Sequence, residues 1–248
     1  MAKADRQPIE ITVPEVSVAD VLVRVVGTSP LIMNCMSAKA RRELLIPKGR
    51  KTRADRALGP KHDPPSEYQH SVYFWNKDVT LLAFPALAFK DAIMTAALDM
   101  PGTYRTQIGR LVWVNGWYVP VWGVPQVFMA VVRSADINRT PDVRTRAILP
   151  EWCSEINLRF MTPFLSADAI MRLLYMAGMT AGVGDFRQEK GKGSFGQFRI
   201  CAADDEEFLR IRDSGGRSEQ TMALENPEPF DPDTAEMLSW FADEAAAR

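Results

Sequence analysis

The order in which strand-like and helix-like segments follow one another constrains the fold of this chain more than any other feature of its sequence. Valines alternate with other side chains in residues 17–27, as expected for a strand. Apolar residues recur at spacings of three or four in residues 85–100, which predicts an amphipathic helix, and Ser166 can cap a second helix at 167–181. The six major elements are a strand at 21–27, a helix at 85–100, strands at 127–132 and 155–160, a helix at 167–181 and a strand at 195–201.

This order predicts an α+β fold of the split βαβ type, ferredoxin-like or RRM-like, in which two helices cover one face of a four-stranded antiparallel sheet. The other face is expected to stay open. Two predicted hairpins are set aside as insertions: one joins residues 72–75 to 79–84, and one turns at Asn115-Gly116. We expect one domain in residues 1–202, with insertions at 37–70 and 133–147, and an acidic extension in 203–248 with a helix at 233–247.

Charge is distributed unevenly along the chain. The net charge of -1 comes from 30 Lys and Arg against 31 Asp and Glu. Residues 39–61 hold nine basic and two acidic residues, a local charge of +7, whereas residues 203–248 hold four basic and thirteen acidic residues, a local charge of -9. Such polarity predicts a basic binding element and an acidic appendage.

Several classes of protein do not fit the sequence. No run approaches the length of apolar residues that a membrane span requires, and the N-terminal residues lack the apolar core of a secretory signal. The three cysteines are widely spaced, which favours reduced thiols over disulfides or a zinc site. We therefore expect a cytoplasmic protein that binds no membrane, with no cofactor and no metal.

A glycine-rich loop between the second helix and the last strand is the most specific motif. Five of the 15 glycines of the chain lie in residues 182–196, which include Gly182-Val183-Gly184 and Gly191-Lys192-Gly193. Glycines permit positive φ and close backbone approach, so exposed N–H groups beside Arg187, Lys190 and Lys192 would suit a phosphate chain. A flexible turn with solvated charges is the alternative. The loop follows a helix and enters a strand, the reverse of a P-loop or a dinucleotide-binding loop.

These glycines resemble the signature of the RAMP superfamily of CRISPR-associated proteins, which has a Gly-hydrophobic-Gly, a short basic stretch and a Gly-x-Gly ahead of the last strand. Gly27-Thr28-Ser29-Pro30-Leu31 also resembles the first-strand exit of the backbone subunits that polymerise along a guide RNA. The resemblance covers about two thirds of the chain. It implies an RRM-like palm, a finger-like insertion at 39–70 and a thumb-like hairpin at 133–146, both of them basic here.

Candidate nucleic-acid contacts come from the basic insertions, the strands and the glycine loop, since single-stranded nucleic acids need cations along the phosphates and flat side chains against the bases. Phe186, inside the loop, is the preferred stacking residue, and Arg159 and Arg199 are further strand cations. Other stacking candidates are Tyr68, Tyr73, Trp75, Tyr104, Trp113, Trp117 and Tyr118. The predicted contact set is Arg24, Lys39, Arg41, Arg42, Lys48, Arg50, Lys51, Arg53, Arg139, Arg144, Arg146, Gly182, Gly184, Phe186, Arg187, Lys190, Gly191, Lys192 and Gly193.

The leading hypothesis is a non-catalytic subunit that binds single-stranded guide RNA and oligomerises along it in a CRISPR-type ribonucleoprotein of antiviral defence. Its partners would be the guide, the target nucleic acid, further copies of the chain and other effector subunits. One alternative is a guide-processing endoribonuclease that uses His62 or His70 as general acid or base. Other members of the superfamily that the chain resembles cut target RNA with an acid near the first insertion, for which Asp55 or Asp63 would be the candidates. The other alternative is a phage or mobile-element oligomer that binds single-stranded DNA.

Overall fold

The computed structural model describes residues 14–37, 41, 45, 62–75, 79–133, 141–190 and 193–246. Within them lie ten strands: β1 Ser17–Gly27, β2 Leu31–Ile32, β3 Tyr73–Phe74, β4 Leu82–Pro85, β5 Val112–Val114, β6 Tyr118–Trp122, β7 Gln126–Arg133, β8 Pro141–Leu149, β9 Cys153–Thr162 and β10 Phe198–Cys201. The α-helices described are α1 Pro64–His70, α2 Ala86–Ala96, α3 Arg105–Leu111, α4 Ala167–Thr180, α5 Glu206–Ser214, α6 Arg217–Glu225 and α7 Pro232–Ala246. Short 3-10 helices follow at Ala97–Asp99 and Gln188–Lys190.

The main sheet is antiparallel, with the strand order β10-β1-β9-β6-β4-β3, and β5 also pairs with β9. Its long central pair, β1 with β9, extends from Ser17 opposite Thr162 to Val26 opposite Cys153. The last strand lies beside the first, and the first beside β9, as a split βαβ order requires. The predicted α+β class with an antiparallel sheet is confirmed.

The assignment of the second core strand to residues 127–132 is wrong. Those residues belong to β7, which forms a hairpin with β8 in a separate sheet of order β2-β8-β7. β5 and β6 occupy the expected position instead. Both run antiparallel to β9 in one continuing direction, from Val112 opposite Phe160 to Trp122 opposite Cys153. The hairpin predicted at Asn115-Gly116 is therefore also wrong, because Gly116, with φ of +84°, lies in an interruption of one strand.

The first predicted hairpin and both predicted helices are confirmed. β3 pairs with β4, with Tyr73 opposite Ala83, which confirms the first hairpin, although its turn at 76–78 lies outside the described residues. Both predicted helices are present, and Ser166 caps α4 by accepting a hydrogen bond from the amide of Ala169 at 3.1 Å. The inward face of α4 is buried as expected, with Ile170, Leu173, Leu174 and Ala177 in the core.

The expectation that the second face of the sheet stays open is wrong at one end. Helix α5 covers that end, where Phe208 and Ile211 are buried against Val26, Trp122 and Cys153. The Asp205 side chain caps α5. Burial of a phenylalanine and an isoleucine stabilises this contact by about 1.5–3 kcal/mol for each side chain. The acidic C-terminal segment thus contributes to the core.

Helix α6 is held to the sheet by the buried amide of Gln220. Its carbonyl oxygen accepts hydrogen bonds from the amides of Leu81 at 2.8 Å and Leu82 at 3.1 Å. Its amino group donates to the carbonyls of Val121, Gly123 and Gly215. The bonds to Leu81 and Leu82 satisfy backbone amides at the start of β4, and the other three satisfy carbonyls of neighbouring segments. Among the helices described, none is long and apolar enough to cross a membrane.

Candidate nucleic-acid interface

The glycine loop packs against the chain that leaves the first strand. The amide of Asp185 donates to the Ile32 carbonyl at 3.0 Å, and the amide of Gly196 donates to the Pro30 carbonyl at 2.8 Å. Gly184 has φ of +91°, and a Cβ placed on it would lie 2.7 Å from the Ile32 oxygen. Only glycine fits such an approach without displacement. The two motifs singled out in the sequence, the loop and the Gly27–Leu31 exit, are therefore in direct contact.

In the described part of the glycine loop, several amides that were predicted to cradle phosphates are not free. The Gly182 and Val183 amides each donate a 2.9 Å hydrogen bond to a carbonyl, of Ala177 and Gly196 respectively. The Phe186 amide donates to the Asp185 carboxylate at 3.1 Å. These amides, with that of Asp185, are used inside the protein, so the phosphate-cradle prediction is wrong for them.

Arg187 is also engaged within the loop. It contacts the Glu189 carboxylate at 2.7 Å through both Nε and Nη2, and Nη1 donates to the Gly184 carbonyl at 3.0 Å. Phe186 is half-buried and has a φ of +51°, a backbone angle that residues other than glycine rarely adopt. Gly193 lies directly against the Phe186 carbonyl. The charge of Arg187 thus organises the loop.

A cluster of polar and aromatic side chains forms beside the loop, around Tyr73. The Tyr73 ring lies 6.1 Å from the Tyr118 ring and 5.5 Å from the Phe84 ring, measured between centroids. Its hydroxyl donates to Asn34 Oδ1 at 3.3 Å. Burial, together with the nearby Cys35 and Tyr118, raises the pKa of Tyr73 to about 12, so the hydroxyl stays neutral.

Two arginines from different insertions approach this group. Arg146 on β8 opposes the rise in the pKa of Tyr73, and Arg41 opposes the rise that burial causes in the pKa of Cys35. Their positive fields therefore reach the two neighbouring groups. We call this set the Tyr73 cluster; its members are Asn34, Cys35, Arg41, Tyr73, Tyr118, Arg146 and Asp185.

A cavity lies next to the Tyr73 cluster, between the start of helix α2 and the glycine loop. The cavity has a volume of about 240 Å³ and is lined by Pro85, Leu87, Ala88, Asp91, Ala92, Val183, Gly184, Arg187 and Glu189. Pro85 pairs with Tyr118 in the sheet, and Gly184 precedes Asp185, so cluster and cavity are adjacent. Trp117, whose carbonyl accepts the Ala86 amide at 2.9 Å, is 89% exposed at the same border. We call the surface that includes the Tyr73 cluster, Trp117 and this adjacent cavity the groove.

Arg144 extends this groove. It is exposed on β8, two residues before Arg146, and the buried Thr145 lies between them. Alternate residues of a strand face the same side, so Arg144 and Arg146 share a face. The hairpin of β7 and β8 thus brings two predicted cations to the groove.

Three other predicted strand cations lie elsewhere and are neutralised by acids. Arg24 contacts Glu155 at 2.8 Å and lies over the Phe208 ring at 5.8 Å. Arg159 pairs with Asp20, and Arg199 pairs with Asp205 and Glu207. Several predicted contacts lie outside the described residues: Lys39, Arg42, Lys48, Arg50, Lys51, Arg53, Arg139, Gly191 and Lys192.

Both histidines contact protein groups. His62 lies between two carboxylates, with Nδ1 at 2.8 Å from Glu67 and Nε2 at 2.9 Å from Asp142. His70 Nδ1 contacts the Ser66 carbonyl at 2.7 Å, and Asp63 caps helix α1. The carboxylates hold His62 between the start of α1 and the foot of β8. In the described parts of the chain, no group of three His, Cys, Asp or Glu residues is placed to hold a metal ion.

Comparison with known proteins gave structural similarities at low sequence identity. Cmr6 from Pyrococcus furiosus matches with 7% identity and a TM-score of 0.37, over 75% of this chain and 98% of Cmr6. A chain of the Type III-B Cmr-beta complex bound to cognate target RNA matches with 12% identity and a TM-score of 0.37, over 75% of this chain and 59% of that chain. No protein-family model matches the sequence, and no curated protein does either.

The residues predicted from the sequence as nucleic-acid contacts did not include Asp185, Asn34 or Asp91. Asp185 directly follows Gly184, so its place inside the glycine motif was an available signal. Asn34 and Asp91 had no such signal, because the contact of Asn34 with Tyr73 and the cavity that Asp91 lines form only when distant segments come together. The aromatic residues Tyr73, Trp117 and Tyr118 were candidates among eight, and the structure brings these three to one groove.

Proposed function

We propose that the protein binds single-stranded RNA in the groove that runs from Arg144 and Arg146, past Tyr73 and Tyr118, to the cavity beside Gly184. The observation that carries this proposal is that guanidinium groups and aromatic rings from separate chain segments lie close together in the Tyr73 cluster. Cations that follow phosphates and rings that stack on bases are what a single strand requires.

The finer role that we propose is a non-catalytic subunit that coats a guide RNA by repeated side-by-side binding in a CRISPR-type ribonucleoprotein. The RAMP-like signature Gly182-Val183-Gly184 and its contact with the Gly27–Leu31 exit favour this role. The charge of +7 in residues 39–61 and that of -9 in residues 203–248 favour contact between neighbouring copies.

Titration of a fluorescent 40-nucleotide RNA, with the mass of each complex measured by light scattering, tests both levels of the proposal. Binding should weaken with rising salt, and the number of subunits bound should increase in steps with RNA length. Double-stranded RNA of equal length is the control, since its bases are not available for stacking. Absence of salt-dependent binding contradicts RNA binding, whereas one subunit on every length of RNA contradicts only the coating role.

A further inference from the structure

The cavity beside Gly184 contains a carboxylate that phosphate binding does not explain. Asp91 lies in the second turn of α2, is half-buried and lines the cavity of about 240 Å³. Among the described residues, no hydrogen-bond donor or cation contacts its side chain. A carboxylate accepts hydrogen bonds and donates none, so a ligand that contacts Asp91 in this cavity has to supply the donor.

The other charged groups of the cavity are paired. Arg187 contacts the Glu189 carboxylate at 2.7 Å and donates to the Gly184 carbonyl at 3.0 Å. The described lining thus has an excess negative charge at Asp91, which repels a phosphate. The rest of the wall is apolar: Pro85, Leu87, Ala88, Ala92 and Val183. A neutral group that carries a hydrogen-bond donor fits this combination.

We propose that this cavity takes the sugar of one nucleotide and that Asp91 accepts a hydrogen bond from its ribose 2'-hydroxyl. The inference rests on the proposed function and adds a means of selecting RNA over DNA. Every RNA nucleotide carries the 2'-hydroxyl whatever its base, and DNA lacks it. Contact at Asp91 is therefore compatible with sequence-independent binding. The phosphates would lie outside the cavity, next to Arg144 and Arg146.

Oligomers of uridine and deoxyuridine, each of 20 nucleotides, isolate the sugar because they share a base without an amino group. Fluorescence anisotropy should show that the wild-type protein binds the RNA roughly tenfold more tightly, as expected for loss of one hydrogen bond to a charged group. Asp91→Ala should weaken RNA binding to the level of DNA and leave DNA binding unchanged. Asp91→Asn keeps an acceptor oxygen and should retain part of the preference.

Asp99→Ala is the matched control, since Asp99 is exposed in the 3-10 turn that follows α2 and its loss removes the same charge. It should leave the preference for RNA intact. Equal wild-type affinities, or an undiminished preference in both Asp91 variants, overturn the inference and leave the proposed function standing. If Asp91→Ala binds both oligomers more tightly by the same factor, Asp91 only repels nucleic acid in general, and the inference is also overturned. Failure of the wild type to bind either oligomer overturns the proposed function.

Discussion

Asp185 and Arg146 face each other with 3.6 Å between Oδ2 and Nε, one from the glycine loop and one from strand β8. That separation exceeds a hydrogen bond, and Arg146 Nε is buried with no hydrogen-bond partner among the described residues. Arg146 Nη1 donates to its neighbour's carbonyl, on Thr145, at 3.3 Å. Asp185 therefore forms an ion pair with the guanidinium without accepting a hydrogen bond from Nε.

Replacement of Arg146 by alanine should weaken the binding of single-stranded RNA. Loss of one phosphate contact should also make the slope of log affinity against log salt less negative by about 0.7. Anisotropy titrations at several salt concentrations give both quantities. Arg172→Ala is the control, because Arg172 is a 74% exposed arginine on α4 that pairs with Asp168, away from the groove. An unchanged slope in Arg146→Ala contradicts a phosphate contact.

Trp117→Ala should reduce RNA affinity with little effect on folding. The indole is 89% exposed, so its removal costs little core packing, whereas stacking of one base on an aromatic ring contributes about 1–3 kcal/mol to binding. We expect at least a fivefold rise in Kd. Trp240→Ala removes an indole that is 66% exposed on α7 and should leave Kd unchanged. Equal effects of the two substitutions would exclude a specific role for Trp117.

The fold could be predicted from the sequence wherever the signal was local. Helices α2 and α4 have the 3.6-residue period and clear start signals at Pro85 and Ser166, and both were predicted. The second core strand was misassigned because the apolar run at 127–132 predicts a strand, and does not report which sheet that strand joins. Asn115-Gly116 has the right turn residues for a hairpin, but the pairing of both flanking strands with β9 decides their direction.

The candidate site was predictable in part. The glycine loop and Arg146 were found because glycine spacing and charge are visible along the chain. The prediction that the loop amides bind phosphate was wrong, because the amides of Asp185 and Val183 donate to the carbonyls of Ile32 and Gly196. Ile32 and Asp185 are about 150 residues apart along the chain, so no local pattern reports their contact. The covering helix α5 was not expected to pack on the sheet, since its acidic composition concealed Phe208 and Ile211.

Gly184→Ala should destabilise the fold more than Gly102→Ala. Both glycines have positive φ, +91° and +77°, so each substitution carries a backbone cost of about 1–2 kcal/mol. A Cβ at Gly184 would also lie 2.7 Å from both the Ile32 oxygen and a Leu31 methyl, whereas nothing lies within 4 Å at Gly102. Overpacking should add about 1–3 kcal/mol at Gly184. Equal free energies of unfolding in urea would contradict the close packing of the loop on β2.

The stability of the protein should decline between about pH 5 and pH 2 through Asp205. Arg199 donates to both oxygens of this carboxylate, at 2.7 and 3.0 Å, and the Phe208 amide donates to one of them at 3.0 Å. The Arg199 hydrogen bonds, and then that amide, lower the pKa of Asp205 to about 2. Because the folded pKa lies below that of the unfolded chain, near 3.9, the contribution is complete above the unfolded value and is lost as pH falls towards 2.

Asp205→Asn separates this effect from general acid unfolding. The variant should be less stable than the wild type by about 1–2 kcal/mol at pH 6, a range discounted for solvent screening, and the difference should approach zero near pH 2. Urea unfolding at a series of pH values measures it. Asp204→Asn removes the adjacent exposed carboxylate and should show no such convergence. A wild-type to Asp205→Asn difference that stays constant with pH would show that the carboxylate charge does not hold α5 to strand β10.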